Sequence, residues 1–172
     1  MSTQDIFGLQ FVLSIVAFSV VIRALVSPWL GKLSKREALM WLTAPHVFRH
    51  VGMSFLVPGV VNEGLPESFA IPAAYGDLLT GLLALVAFIA LQKNWRAQIG
   101  LVWLYSIVGI VDLAKALPQV DVAPYFNAAW FIPTMLVPLL LVTHAMSIAR
   151  LVRREAEAPA PAEAKLAVGA QS

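Results

Sequence analysis

Between Pro72 and Leu91 the chain reads PAAYGDLLTGLLALVAFIAL. An α-helix rises about 1.5 Å per residue, so a stretch of roughly 20 residues covers the hydrocarbon core of a bilayer, about 30 Å. Asp77 is the only charged residue in the stretch. Pro72 falls in the first turn, where its missing N–H has no helical partner to lose. This segment reads as a transmembrane helix, and four more read the same way along the chain. They run from about Ile6 to Leu30, Ala38 to Val61, Ala97 to Leu117 and Pro124 to Val152. Ser34-Lys35-Arg36-Glu37 opens the second as a capping box, Pro118 stops the fourth, and Asp121 is a nearby N-cap for the fifth.

Composition agrees. Of 172 residues, 59% are hydrophobic and 13% charged, against roughly 45–50% and about 25% in an average soluble domain. Such a chain has too few charges to cover a soluble globule, so the expected fold is an all-α polytopic transmembrane bundle of five spans in one domain, residues 1–154. The absence of Cys excludes disulfides, thiolate metal sites and cysteine nucleophiles. A net charge of +2 gives no reason to expect nucleic acid as a partner.

The loops orient the bundle. Lys32, Lys35 and Arg36, then Lys93 and Arg96, then Arg150, Arg153 and Arg154 mark one side, and Asp5, Glu63, Glu67 and Asp121 the other. The positive-inside rule places the N-terminus outside and the C-terminus in the cytoplasm of a bacterial-type inner membrane. Trp29, Trp41 and Trp95 fall near the cytoplasmic boundary, where an aromatic belt is expected. The first segment lacks the basic leader and small-residue cleavage site of a signal peptide and reads as a mature helix. Residues 155–172, EAEAPAPAEAKLAVGAQS, read as a disordered cytoplasmic tail.

Ionisable residues at membrane depth are costly and point to function. The second segment holds Pro45-His46-Val47-Phe48-Arg49-His50. At α-helical spacing His46, Arg49, His50 and Met53 line one face. Asp77 and Asp112 each lie about five residues from the outer end of their segments, roughly 8 Å deep, within reach of a snorkelling Arg49. The candidate ligand-binding set is therefore His46, Arg49, His50, Asp77 and Asp112; as an ion pair it would also fix helix register. His144 lies at a depth similar to His46, and two histidines on different helices are what a b-type haem requires of its axial ligands. His46, His50 and His144 are the corresponding candidates for a metal. Small residues, Gly76, Thr80, Gly81 and Ala84 on one helix and Ser106 and Gly109 on the next, form stripes suited to close helix packing. Pro133 and Pro138 imply bending in the fifth segment.

No phosphate-binding loop, His-Glu-x-x-His zinc motif or Gly-x-Ser-x-Gly elbow occurs. With no catalytic set, an enzyme is not the expectation. Gly59-Val60-Val61, Leu65-Pro66 and Ala73-Ala74-Tyr75-Gly76-Asp77-Leu78-Leu79-Thr80-Gly81-Leu82-Leu83 resemble the DoxX-like small bacterial membrane proteins over residues 40–150. Those have a four-helix core with a Gly-acid pair opening a Gly- and Leu-rich helix; Gly76-Asp77 matches that pair. The first segment is an addition to such a core, and His46-x-x-Arg49-His50 lies outside the pattern. Some members look like accessory subunits of quinone-linked oxidoreductases, so the resemblance implies an accessory role. The expected function is a non-catalytic membrane protein: an accessory subunit of a membrane complex or homo-oligomer, or a binder of a lipid- or quinone-like ligand. The alternatives are a haem-binding electron-transfer subunit and a small proton-coupled transporter.

Overall fold

The computed structural model describes residues 1–153, so the expected tail lies outside the described residues. Within them every regular element is helical, and the sole β-type pairing is an isolated bridge between Pro58 and Val61. Four stretches are long and apolar enough to cross a membrane: Thr3–Leu30, Glu67–Gln92, Gln98–Ala116 and Asn127–Val152.

The first, α1, starts on a capping box in which Ser2 Oγ accepts from the Asp5 N–H at 3.1 Å. It is α-helical over Thr3–Val21, widens to a π turn at Ile22–Val26, and resumes over Ser27–Leu30. Helix α2 covers Lys35–Val47, and the expected cap is present: Ser34 Oγ accepts from the Glu37 N–H, and Glu37 Oε2 accepts from the Ser34 N–H at 3.0 Å. Helix α3 is Glu67–Gln92 and α4 is Gln98–Ala116. Two short 3-10 helices follow, Val120–Tyr125 and Asn127–Trp130. A second π turn, Ile132–Leu136, then leads into α5, Val137–Val152.

Three sequence expectations need correction. The segment expected from Ala38 to Val61 is α-helical only to Val47, continues as a 3-10 helix over Phe48–Leu56, and ends in a turn with Gly59 at φ 82°. Pro45 lies in the last turn of the α-helical part, just before the switch. Helix α3 begins at Glu67, not Pro72, because the Pro66 carbonyl already accepts from the N–H groups of Phe69 and Ala70. Asp77 is thus ten residues, about 15 Å, into its helix. Asp121 does not cap the fifth helix; it sits inside the 3-10 helix Val120–Tyr125.

The two π turns share one offset. Each is followed by one residue and then a proline: Val26, Ser27, Pro28 and Leu136, Val137, Pro138. A proline ring crowds the carbonyl one turn back, and widening that turn relieves the clash.

Helix α3 forms the centre, packed against α2 with its 3-10 extension and against α4; α5 closes the other side of α2. Helix α1 lies outermost against α5 and its preceding turns, its apolar side chains largely exposed. One end of the bundle gathers the basic loops: Lys35 Nζ donates to the carbonyls of Leu151 and Arg153, and Arg36 Nη1 donates to the Leu91 carbonyl at 3.0 Å. These cations satisfy the free carbonyls at the C-terminal ends of α3 and α5. At the opposite end, Asn62 N–H donates to the Tyr125 carbonyl, and Ala128 N–H to the Val60 carbonyl.

Candidate functional site

The 3-10 helix decides which side chains meet. With 3.0 residues per turn, positions three apart eclipse. Arg49, Gly52 and Phe55 are its buried residues, and His46 one step earlier is buried too. The face expected at α-helical spacing is therefore redrawn. His50 points to the exposed side, where its Nδ1 meets the Val47 carbonyl at 3.1 Å, so it does not join the site. Met53 is partly buried and packs among the aromatic residues described below.

The expected Arg49, Asp77 and Asp112 do come together. Arg49 is fully buried. Its Nε donates to Asp77 Oδ1 at 2.6 Å, its Nη2 to Asp112 Oδ2 at 2.6 Å, and its Nη1 to the Gly109 carbonyl at 3.3 Å. One planar guanidinium thus ties the 3-10 helix to α3 and α4, using the forked donor geometry that distinguishes Arg from Lys. A single guanidinium faces two carboxyl groups in a low-dielectric setting.

Three glycines make this possible. A Cβ on Gly52 would collide with Asp77 Oδ2, one on Gly76 would collide with Asp112 Oδ1, and one on Gly109 would lie 2.8 Å from Arg49 Nη1. The small-residue stripes read from the sequence as helix-packing surfaces therefore also house the ion triad. Gly52 was the residue missed; its signal was the three-residue spacing from Arg49, visible only once the 3-10 period is assumed.

The two carboxylates form part of the wall of a narrow cleft with a cavity volume of about 50 Å³. Apart from Gln119 its other walls are apolar, and five of them are phenyl rings: Phe7 and Phe11 from α1, Phe55 from the 3-10 helix, Phe69 from α3, and Phe126. Phe55, Phe69 and Phe126 pack with ring centroids 5.5–5.7 Å apart, and Phe7 meets Phe126 at 6.0 Å and Trp130 edge-on at 5.6 Å. The side chains of Asp77 and Asp112 remain 11% and 15% exposed, which is the opening of the triad toward this cleft. Trp130 Nε1 donates to Gln10 Oε1 at 2.6 Å, fixing α1 as one wall.

His46 and His144 also meet, but not in the way a haem needs. Their ring centroids are 3.9 Å apart at 51°. A bis-His haem places iron and the porphyrin plane between two axial nitrogens. Here the rings occupy that space themselves, so these residues do not fit the expected axial pair. Nor do His46, His50 and His144 form a three-residue set: among the described residues, no group of three or more His, Cys, Asp or Glu could hold a metal, and His50 faces away.

The histidines belong instead to a buried polar cluster with Thr43, Tyr105, Ser106, Thr143 and Ser147. Thr143 Oγ1 lies 3.0 Å from His46 Nε2 and within reach of the Leu139 and Leu140 carbonyls, and its one proton goes to one of the three. The other ring nitrogen of His46 is Nδ1. It has no partner, and neither do the two ring nitrogens of His144 or the hydroxyls of Ser106 and Ser147. A buried polar atom left unpaired costs about 1–3 kcal/mol. Three of these five atoms are imidazole nitrogens; the Ser106 and Ser147 hydroxyls lie beside Tyr105 Oη.

Residues 6–152 match the model of the family described as Domain of unknown function (DUF8737), and the chain belongs to that family. No curated protein and no solved structure matches it.

Proposed function

We propose that this chain is a non-catalytic multi-pass protein of a bacterial-type cytoplasmic membrane that binds a lipid- or quinone-like molecule, as an accessory subunit would. One observation carries the reading: an aromatic-walled cleft runs from the end of the bundle to the Asp77–Arg49–Asp112 triad. Small-molecule sites are mostly apolar with a few convergent polar groups, and the lining of this cleft has that composition. A flat ring or acyl chain suits the phenyl walls. The carboxyl oxygens of the triad suit a polar end that donates a hydrogen bond, such as a quinol or lipid hydroxyl. The DoxX-like resemblance centres on Gly76-Asp77, and in this reading that pair is where the ligand's polar end is held.

The membrane placement is part of the proposal. Five passes, with the N-terminus outside and the C-terminus cytoplasmic, follow if α2 and its 3-10 extension cross as well. That segment is the least apolar because it carries the buried Arg and His. The basic loops gather at one end, where Trp29 and Trp41 stack edge-on at 5.1 Å, and this supports the orientation.

The test is to purify the protein from native membranes into nanodiscs and identify bound lipophiles by mass spectrometry. A near-stoichiometric lipophile that is depleted by Asp112→Asn and by Phe126→Ala supports the reading. Wild-type protein carrying only bulk lipid, and failing to bind an added short-tail quinol, overturns it.

A further inference from the structure

The proposed cleft leaves the histidine cluster unused, yet the two are contiguous. Arg49 Nη1 and His144 Nε2 both crowd the bare Cα of Gly109, lying 2.8 and 2.9 Å from where its Cβ would be. From His144 the contacts run inward. Its ring lies against His46 at 3.9 Å, and Tyr105 sits 5.8 and 5.3 Å from the two. Tyr105 Oη shares a hydrogen bond with Thr43 Oγ1 at 3.2 Å, and Ser106 and Ser147 lie beside the same hydroxyl. All these residues are buried.

The chemistry of this seam is uniform. Beyond Arg49 every polar side chain in it is an imidazole or a hydroxyl, groups that both donate and accept hydrogen bonds. It contains no carboxylate to balance a divalent metal. Its outer end abuts Arg49, which is paired with Asp77 and Asp112. The unpartnered ring nitrogens and hydroxyls are the groups a bridging water would need.

We propose that this seam conducts protons between the Asp77–Arg49–Asp112 triad and the inner end of the bundle, with His144 and His46 as relay groups. A proton adds to the free lone pair of one ring nitrogen, and the proton on the other nitrogen leaves to the next acceptor. Each ring ends neutral, in the other tautomer, and resets by exchange with the neighbouring hydroxyls. Leu39, Leu91, Val102 and Leu151 pack together as an apolar layer at the inner end. That layer sets the rate.

The experiment uses the full chain in liposomes carrying a pH-sensitive dye, with the membrane potential clamped by valinomycin and potassium, and applies an external acid step. Expected are a wild-type proton flux severalfold above protein-free vesicles, a return to that baseline in His144→Phe and His46→Phe, and an increase in Leu151→Ser. His144→Gln keeps a polar, hydrogen-bonding side chain but cannot relay, so it too must fall to baseline while remaining monodisperse. Wild-type flux equal to that of protein-free vesicles overturns the proposal, as does undiminished flux in His144→Gln. Stoichiometric metal in the purified protein, lost in His46→Gln, also overturns it, in favour of a metal site. Quinol binding measured on the same variants separates this from the cleft: relay variants that lose flux keep the ligand if both readings hold.

Discussion

Replacing Gly76 with alanine should destabilise the protein, although alanine is the better helix former. Gly76 lies mid-helix in α3, where an alanine in a solvent-exposed helix would gain about 1 kcal/mol. Its added methyl would occupy the position of Asp112 Oδ1. Asp112 would have to swing away and give up its 2.6 Å contact with Arg49. Breaking a buried pair by losing one partner costs about 3–5 kcal/mol. Arg49 keeps Asp77, so the lower figure of about 3 applies, and subtracting the helix gain of about 1 leaves about 2 kcal/mol. That is roughly a thirtyfold change in the folded-to-unfolded ratio. The assay is reversible unfolding in mixed micelles by titration with sodium dodecyl sulfate, followed by tryptophan fluorescence. Gly100→Ala in α4 is the control: nothing lies within 4 Å of its added Cβ, so it should be neutral or slightly stabilising. In an Asp112→Ala background the penalty of Gly76→Ala should vanish. If Gly76→Ala unfolds with the wild type, or if its penalty survives the removal of Asp112, the packing account of the triad is wrong.

Two further outcomes are expected. Arg49→Met alone should cost about 3–5 kcal/mol by stranding two buried carboxylates, whereas the triple change Arg49→Met, Asp77→Leu, Asp112→Leu should be near neutral or stabilising; the same detergent titration decides, and an equally damaged triple variant would mean the triad is needed for folding. The chain has no cysteine, so single cysteines report topology directly. Introduced at Ser2 and at Asn94, only the first should react with a membrane-impermeant maleimide on intact cells, and the reverse pattern would sink the proposed orientation.

Much of this architecture is legible in the sequence because it rests on composition and local chemistry. Apolar runs of span length give the helices, Ser34 and Glu37 give a cap, and Pro118 gives a stop. The meeting of Arg49 with Asp77 and Asp112 follows from the cost of burying charge, since each ion had to find another. What was hidden depends on a change of period. The sequence around Arg49 offers an α-helical face with His50 and a 3-10 face with Gly52, and only the backbone chooses between them. The cleft was hidden for another reason: its phenyl walls come from four separated parts of the chain, and no local pattern joins Phe7 to Phe126. The loop cations Lys35 and Arg36 read as orientation signals, yet they also hold the ends of α3 and α5 through carbonyl contacts that composition does not reveal.

The π turn at Ile132–Leu136 takes up a residue without redirecting what flanks it. A π turn contains one residue more than the α-helix it interrupts. Its five residues turn and rise about as far as four α-helical residues do at about 100° and 1.5 Å each. The segments on either side therefore keep the phase of an uninterrupted helix, with Ile132 at the cleft and Thr143, His144 and Ser147 at the histidines. Deleting one residue from the turn would preserve that phase but return the carbonyl one turn before Pro138 to the clash that the wide turn relieves. The extra residue accommodates the proline and leaves both polar regions in register.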